Sequence, residues 1–537
     1  MSNVIFKLKD DVRGQIHGIE WGTSIWRETV EEISVREPLK SLGDIKEVEV
    51  LILGGGLAGV LTAYQLKQQG VESIIIEADK VGNGITKNTT AKITSLHGLL
   101  YDKLLKKIGP MKTKQYYEAN EKSIEDFKKI KEGLNIDCDF EILPHFLYGV
   151  EKPEVLEAEY EAINRIGITA SYTTKTKLPF KVIGAIEFPR QAQFHPLKFI
   201  KEVVKDLNIY ENCQVTEVKD NGEVEINHKH TIKGKNVILA THYPIINSKG
   251  LYFAKMHQER SYVLCLKRRN EAEKDANGNH PFWLDGMYIG VDNIGYSFRN
   301  YENYLLLGGA NHRSGKSNPG DSYELLKRKA ALWYPYAEVT YAWSNQDCMT
   351  LDSIPYIGRY SKSLPNFYVA TGFNKWGMSS SMVAANILTD MVCGRKSPFE
   401  EVFCPQRNHL AGTKKLIQDM TTTTINLSSE ILKIPKNKIE EIGCGQGGTI
   451  RYEGKLLGIY RDVDGTVHLV DAKCAHLGCR LAWNPNELTW DCPCHGSRYD
   501  YHGNLISNPA TKGIGLECKL KKQEKEIQDK IKNNGQN

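Results

Sequence analysis

At 537 residues, with 41% hydrophobic and 25% charged residues, the chain is longer than one hydrophobic core usually organises. It belongs with ordinary globular proteins of two or three domains, not with disordered or membrane-spanning chains. Seventy Lys and Arg against 65 Asp and Glu leave a formal charge of +5, too weak and dispersed to argue for nucleic acid or an anionic membrane as partner.

Met1 to Gly18 alternates charged and apolar residues and has no apolar export core, so a cytoplasmic protein is expected, with peripheral membrane association left open. Residues 45–77 then read as strand, glycine turn, helix and strand. Val48–Leu53 is an apolar-rich run, Gly54 to Gly59 a turn, the stretch to Gln69 amphipathic, and Ser73–Glu77 a second strand. Such apolar runs are strand-length and fall far short of the roughly 20 residues of a membrane helix, so no transmembrane segment is expected. Met111–Leu134 has helical periodicity. Thr216–Leu239 and Tyr262–Leu307 alternate with period two, which predicts an antiparallel sheet interleaved with the βαβ part. Polar sequence around 408–435 marks a linker. Short strands separated by Gly and Asp-Gly turns run from Thr449 to about Leu516, and a charged tail starts at Lys519.

Two patterns carry chemistry. Gly54-Gly55-Gly56-Leu57-Ala58-Gly59 fits G-x-G-x-x-G between an apolar strand and a helix. Gly54 permits the turn, Gly56 lets backbone approach a pyrophosphate, Gly59 lets helix and strand pack, and the helix N-terminus attracts phosphate. Glu77, ending the second strand, is placed to accept hydrogen bonds from ribose hydroxyls, a surface glutamate being the alternative. The second pattern gathers four of the 12 cysteines between Cys474 and Cys494. Cys474 and His476 form C-x-H, and Cys492 and His495 form C-x-x-H. Two mixed pairs suit a [2Fe-2S] centre with thiolates on one iron and imidazoles on the other. They also suit tetrahedral zinc, which would leave Cys479, Cys494, Ser497 and Tyr499 unexplained.

In both boxes, residues 439–516 resemble the Rieske domains of the cytochrome bc1 and b6f type. The resemblance implies a disulfide between Cys479 and Cys494, and hydroxyl donation to the cluster by Ser497 and Tyr499. It also implies shielding by the loop at Pro509, where Ser507-Asn508 replaces the more usual glycine and predicts a looser shield. Residues 20–400 resemble the D-amino-acid oxidase-like flavoproteins, including glycine, sarcosine and γ-glutamylputrescine oxidases. The likeness rests on Gln193–Leu197, Cys213–Thr216, Asn236–Thr241, Asp352–Gly358 and Val369–Met378. It implies FAD, a Val215 backbone contact to adenine, and closure over the flavin by the segments holding Gly372 and Gly377. The helix beginning near Ser379 would stabilise negative charge on the reduced ring. Thr89 and Thr90 fall where the family packs small residues beside phosphate and ring. Lys92 and Lys375 are the candidate catalytic cations, each as often a structural lysine as a functional one. His97, His195, His242, His257 and His312 read as structural, with His195 capping a helix opened by Pro196.

The expected fold class is α/β: a Rossmann-like FAD-binding βαβ domain, an interleaved antiparallel-sheet substrate domain, and a C-terminal all-β Rieske domain. The expected boundaries are an N-terminal extension over 1–44, the oxidoreductase over 45–405, a linker over 406–437, the Rieske domain over 438–518 and a tail over 519–537. Within the oxidoreductase, 45–110, 190–245 and 340–400 would bind FAD, and 111–189 with 246–339 would form the substrate part. This order resembles the Bacillus-type FAD-dependent oxidoreductases with a C-terminal Rieske domain. The expected function is oxidation of a small organic substrate, an amine or amino acid, with electrons leaving through the cluster to a redox protein or quinone. A non-catalytic redox sensor or carrier, and a reductase with reversed electron flow, are the alternatives.

Overall fold

The computed structural model describes residues 20–35, 40–246, 249–268, 282–292, 295–315, 322–407, 442–452 and 454–516. The expected linker beyond Arg407 and the charged tail lie outside them.

Glu47–Leu53 is apolar from Val50 onward because both faces of a central parallel strand are covered. It pairs in parallel with Ser73–Ile76 on one side and His230–Leu239 on the other. Leu364–Thr371 continues the parallel run and Tyr356–Ser361 closes it antiparallel. Helix Leu57–Gln68 crosses over between the first two strands and buries Leu57, Val60, Leu61 and Leu66. The antiparallel pairing expected for Thr216–Leu239 holds for Val215–Val218, Glu223–Ile226 and the start of His230–Leu239, whose later residues enter the parallel core.

A second sheet of ten strands stands against this layer. Its neighbours run Glu20–Trp21, Ala337–Thr350, Met256–Arg268, Tyr304–Arg313, Ser297–Tyr301, Met287–Gly290, Glu141–Gly149, Gly184–Gln193 and Lys92–Ile93, and the tenth strand, Ser171–Thr173, also pairs with Gly184–Gln193. The sheet therefore takes strands from segments expected on the flavin side, Lys92–Ile93 and most of Ala337–Thr350, and from the expected N-terminal extension. Strand partners are chosen over long sequence distances, which a local pattern does not reveal. The helix expected from Met111 follows a kink at Gly109, whose φ is 75°, with Pro110 opening the longer segment of Tyr101–Gly133.

Behind these layers come two small antiparallel sheets, of three strands over 446–471 and four over 482–507, each with its own apolar cluster. Among the described residues no helix is long and apolar enough to cross a membrane.

Candidate functional site

The glycine turn is shaped by backbone packing at two positions and left open at a third. A Cβ on Gly54, at φ +110°, would lie 2.5 Å from the Ala240 carbonyl oxygen, and one on Gly59 would lie 2.0 Å from that of Gly54. At Gly56 the nearest atom is Thr86 Oγ1 at 3.6 Å, so that side faces room. Thr86 Oγ1 accepts from the Leu57 amide at 3.1 Å. Glu77 accepts from the amides of Gly55 at 2.6 Å and Asp79 at 2.8 Å, and burial raises its pKa against both. Val215 opens a strand attached to the same sheet. An open helix N-terminus beside a carboxylate fits a dinucleotide's pyrophosphate and ribose.

A cleft with about 700 Å³ of empty space lies over the ten-stranded sheet, at the start of helix Gly377–Val392. One wall is Asn88, Thr89, Thr90 and Lys92, the segment expected to meet the flavin. Donors behind it fix its backbone: Trp343 to the Asn88 carbonyl at 2.9 Å, Trp26 to that of Thr89 at 2.7 Å, and buried Arg299 to those of Thr90 and Ala91 at 2.8 Å. Lys92 is buried and donates to Ser297, and burial together with the Arg299 charge lowers its pKa to about 7. Opposite stand Ser261, Asn345 and Asp347, with Lys375 and Trp376 at one end. Lys375 pairs with Glu259 at 2.9 Å. Burial would raise the Glu259 pKa, but His257 and Lys375 hold it down to about 2. Asp347 is pushed up to about 6 by burial, with Lys375 pulling the other way.

Of the glycines expected to close the site, Gly372 is sterically required: its φ is +70° and a Cβ would lie 2.3 Å from Thr350 Cγ2. Gly377 is the first residue of helix Gly377–Val392, and a Cβ there meets only Phe373, at 3.7 Å. The histidines take structural posts. His97 stacks on Trp376 with ring centroids 4.7 Å apart, bonds Tyr116 at 2.7 Å, and is lowered to about 3 by burial. His195 caps helix Pro196–Val203 by accepting from the Lys198 amide at 3.1 Å. His242 lies against Cys348, His257 against Glu259 and His312 against Tyr262. The sequence reading missed Asn345, Asp347 and Ser297, which reach the cleft only through the pairing of distant segments.

In the C-terminal unit, Cys474 and Cys492 are buried, and the His476 and His495 rings meet edge to face at 4.9 Å. Both ring nitrogens of His495 are buried with no hydrogen-bond partner, as expected where an imidazole awaits a metal. Tyr499 Oη lies 3.3 Å from Cys474 Sγ, and Ser497 Oγ accepts from the Ala510 amide at 3.0 Å. Cys479 and Cys494 form a disulfide, leaving two thiols and two imidazoles as the donor set. A hydroxyl beside a ligand sulfur suits an electron-rich iron-sulfur centre, where such hydrogen bonds tune the potential. The shield is not loose. Asn508, which stands in for glycine, donates to the carbonyls of Thr241 at 3.0 Å and Tyr243 at 2.7 Å, and fastens its loop to the flavin-side half. Of the remaining cysteines, Cys138, Cys213, Cys265 and Cys348 are buried, whereas Cys444 is exposed.

The family model described as FAD dependent oxidoreductase matches residues 49–391, and that of the Rieske [2Fe-2S] domain matches residues 433–522. A Bacillus subtilis protein named putative Rieske 2Fe-2S iron-sulfur protein YhfW is 36% identical over 88% of this chain and 94% of its own length. Among solved structures, glycine oxidase from Geobacillus kaustophilus superposes with a TM-score of 0.56 at 15% identity, over 68% of this chain and 99% of its own. L-proline dehydrogenase from P. horikoshii superposes with a TM-score of 0.54 at 18% identity, over 68% and 98%. At these identities the two structures speak for the fold of the larger half alone.

Proposed function

The chain belongs to the FAD-dependent oxidoreductase family and carries a C-terminal Rieske domain, with FAD and a [2Fe-2S] cluster as cofactors, and from that premise we propose a dehydrogenase of small amines or amino acids that delivers electrons to a redox protein or quinone. FAD supplies a two-electron acceptor able to release electrons singly, and the cluster supplies a one-electron carrier.

The observation that carries the substrate class is a buried acid and a buried lysine lining one cleft, Asp347 and Lys92. With its pKa near 6, Asp347 is mostly ionised at neutral pH yet close enough to titration to take the proton an ammonium group must lose before oxidation. Lys92, near 7, offers a positive charge to a substrate carboxylate or to negative charge developing on the flavin. The Lys375 charge is already offset by Glu259, so Lys92 is the stronger candidate of the two. Trp26, Trp343 and Arg299 hold the Asn88–Ala91 backbone from behind and keep that wall in place.

An anaerobic screen of amines and amino acids for flavin bleaching tests this reading. A substrate should bleach the wild-type flavin, more slowly as pH falls through about 6, and Asp347→Asn should cut the rate by roughly a hundredfold or more. If no compound bleaches a flavin that dithionite reduces readily, the dehydrogenase reading gives way to a redox sensor or carrier.

A further inference from the structure

Adjacent strands Met256–Arg268 and Ala337–Thr350 pair so that Gln258 stands opposite Cys348, Glu259 opposite Asp347, Arg260 opposite Gln346 and Ser261 opposite Asn345. Side chains alternate between the faces of a sheet and directly paired residues share a face. One face carries Glu259, Ser261, Asn345 and Asp347, the cleft side. The other carries Gln258, Arg260, Ser344 and Gln346, and every one of these meets the C-terminal unit. Gln258 Nε2 donates to the His495 carbonyl at 2.7 Å, and Gln346 Nε2 donates to the Gly496 carbonyl at 2.8 Å and also to Gln258 Oε1. Arg260 and Ser344 both bond Glu487. The two glutamines are 2% and 3% exposed, so this is packed interior. A Cβ on Gly496 would lie 2.8 Å from the Gln258 side chain, and one on Gly315 would lie 2.6 Å from the Pro493 backbone nitrogen. Approach this close at two glycines marks a seated interface.

We propose that this two-strand wall is where electrons cross from the flavin cleft into the Rieske domain, with Gln258 and Gln346 as positioning residues that seat the His495 loop directly behind the cleft. The inference rests on the flavin-to-cluster relay of the preceding reading. Substrate oxidation delivers two electrons to the flavin, which cross one at a time. Each reduces one ferric iron to ferrous and is passed on to the redox protein or quinone before the next crosses, while the protons leave through the cleft to water. The amide pair forms a single hydrogen-bonded unit, which fixes the loop at one spacing from the cleft.

Flash photoreduction of the anaerobic holoprotein with a deazaflavin sensitiser needs no substrate, so it separates the two proposals. Flavin absorbance and cluster EPR are followed in wild type and in Gln258→Leu/Gln346→Leu. Each lost amide bond shifts the seated equilibrium roughly fivefold, about twenty-five-fold for the two together, and transfer in the double variant should slow by about that factor. Its flavin spectrum and cluster g-values should stay unchanged. Should the double variant lose its cluster, Gln346→Glu, isosteric and unable to donate to the Gly496 carbonyl, provides the same comparison. Transfer as fast as wild type in a variant with intact spectra overturns the inference. Absence of transfer in wild type overturns the relay itself.

Discussion

Replacing Glu487 by leucine removes the carboxylate at the centre of the contact between the two halves. That carboxylate accepts from Arg260 at 3.0 Å, Ser344 at 2.9 Å, Tyr323 at 3.1 Å and Arg498 at 3.3 Å. Arg498 retains Asp491, 3.1 Å away. Arg260, 1% exposed, would lose its paired carboxylate and keep the Ser344 hydroxyl and the Tyr262 ring, 5.9 Å from the guanidinium carbon. An arginine left buried without its counter-charge costs about 3–5 kcal/mol. The lower end applies because the Glu487 side chain keeps 15% exposure and water can follow. Arg260→Met in the Glu487→Leu background removes the stranded charge, and an apolar pair of similar volume should recover most of the loss. The assay is urea unfolding of the holoprotein, followed by cluster absorbance, for both single variants and the double in one cycle. A cost under about 1 kcal/mol for Glu487→Leu, or a double variant no more stable than that single one, would mean that Arg260 is not stranded by loss of the carboxylate.

Glu77→Ala should weaken FAD binding by roughly tenfold to a hundredfold, the worth of charge-assisted hydrogen bonds to ribose, and titration of apoprotein with FAD reads it directly. Cys479→Ser/Cys494→Ser opens a loop whose ends are 15 residues apart, and should lower the stability of the C-terminal unit by about 3 kcal/mol, seen as earlier loss of the cluster's visible circular dichroism on heating. Glu259 has a folded pKa near 2 against 4.5 unfolded, so its ion pair stabilises the protein above pH 4.5 and loses that effect as pH falls toward 2. Lys375→Met should therefore lower the melting temperature at pH 7, with the difference shrinking below pH 4.5 and becoming small only near pH 2.

The sequence revealed most where structure is local. The βαβ unit, the helix after Met111 and the cap at His195 are set by neighbours within a few turns of chain, and each falls where its pattern placed it. The cleft is different. Asp347 and Asn345 look like any polar residues of an alternating strand until the register against Met256–Arg268 decides which face they join. Lys92 read as a lysine that could equally be solvated, and a two-residue strand paired with Gly184–Gln193 buries it. Gln258 and Gln346 carry no motif, because their partners are main-chain carbonyls more than a hundred residues away. Asn508 read as a weakness in the cluster shield, since the half of the protein it grips is distant in the chain.

Rapid-freeze EPR of holoprotein mixed anaerobically with a bleaching substrate asks most directly whether electrons taken at the flavin reach the cluster. The reduced-cluster signal should grow in as the flavin is emptied, and Cys492→Ser protein should bleach without producing that signal. A wild-type flavin that stays reduced beside a cluster that stays oxidised would contradict it.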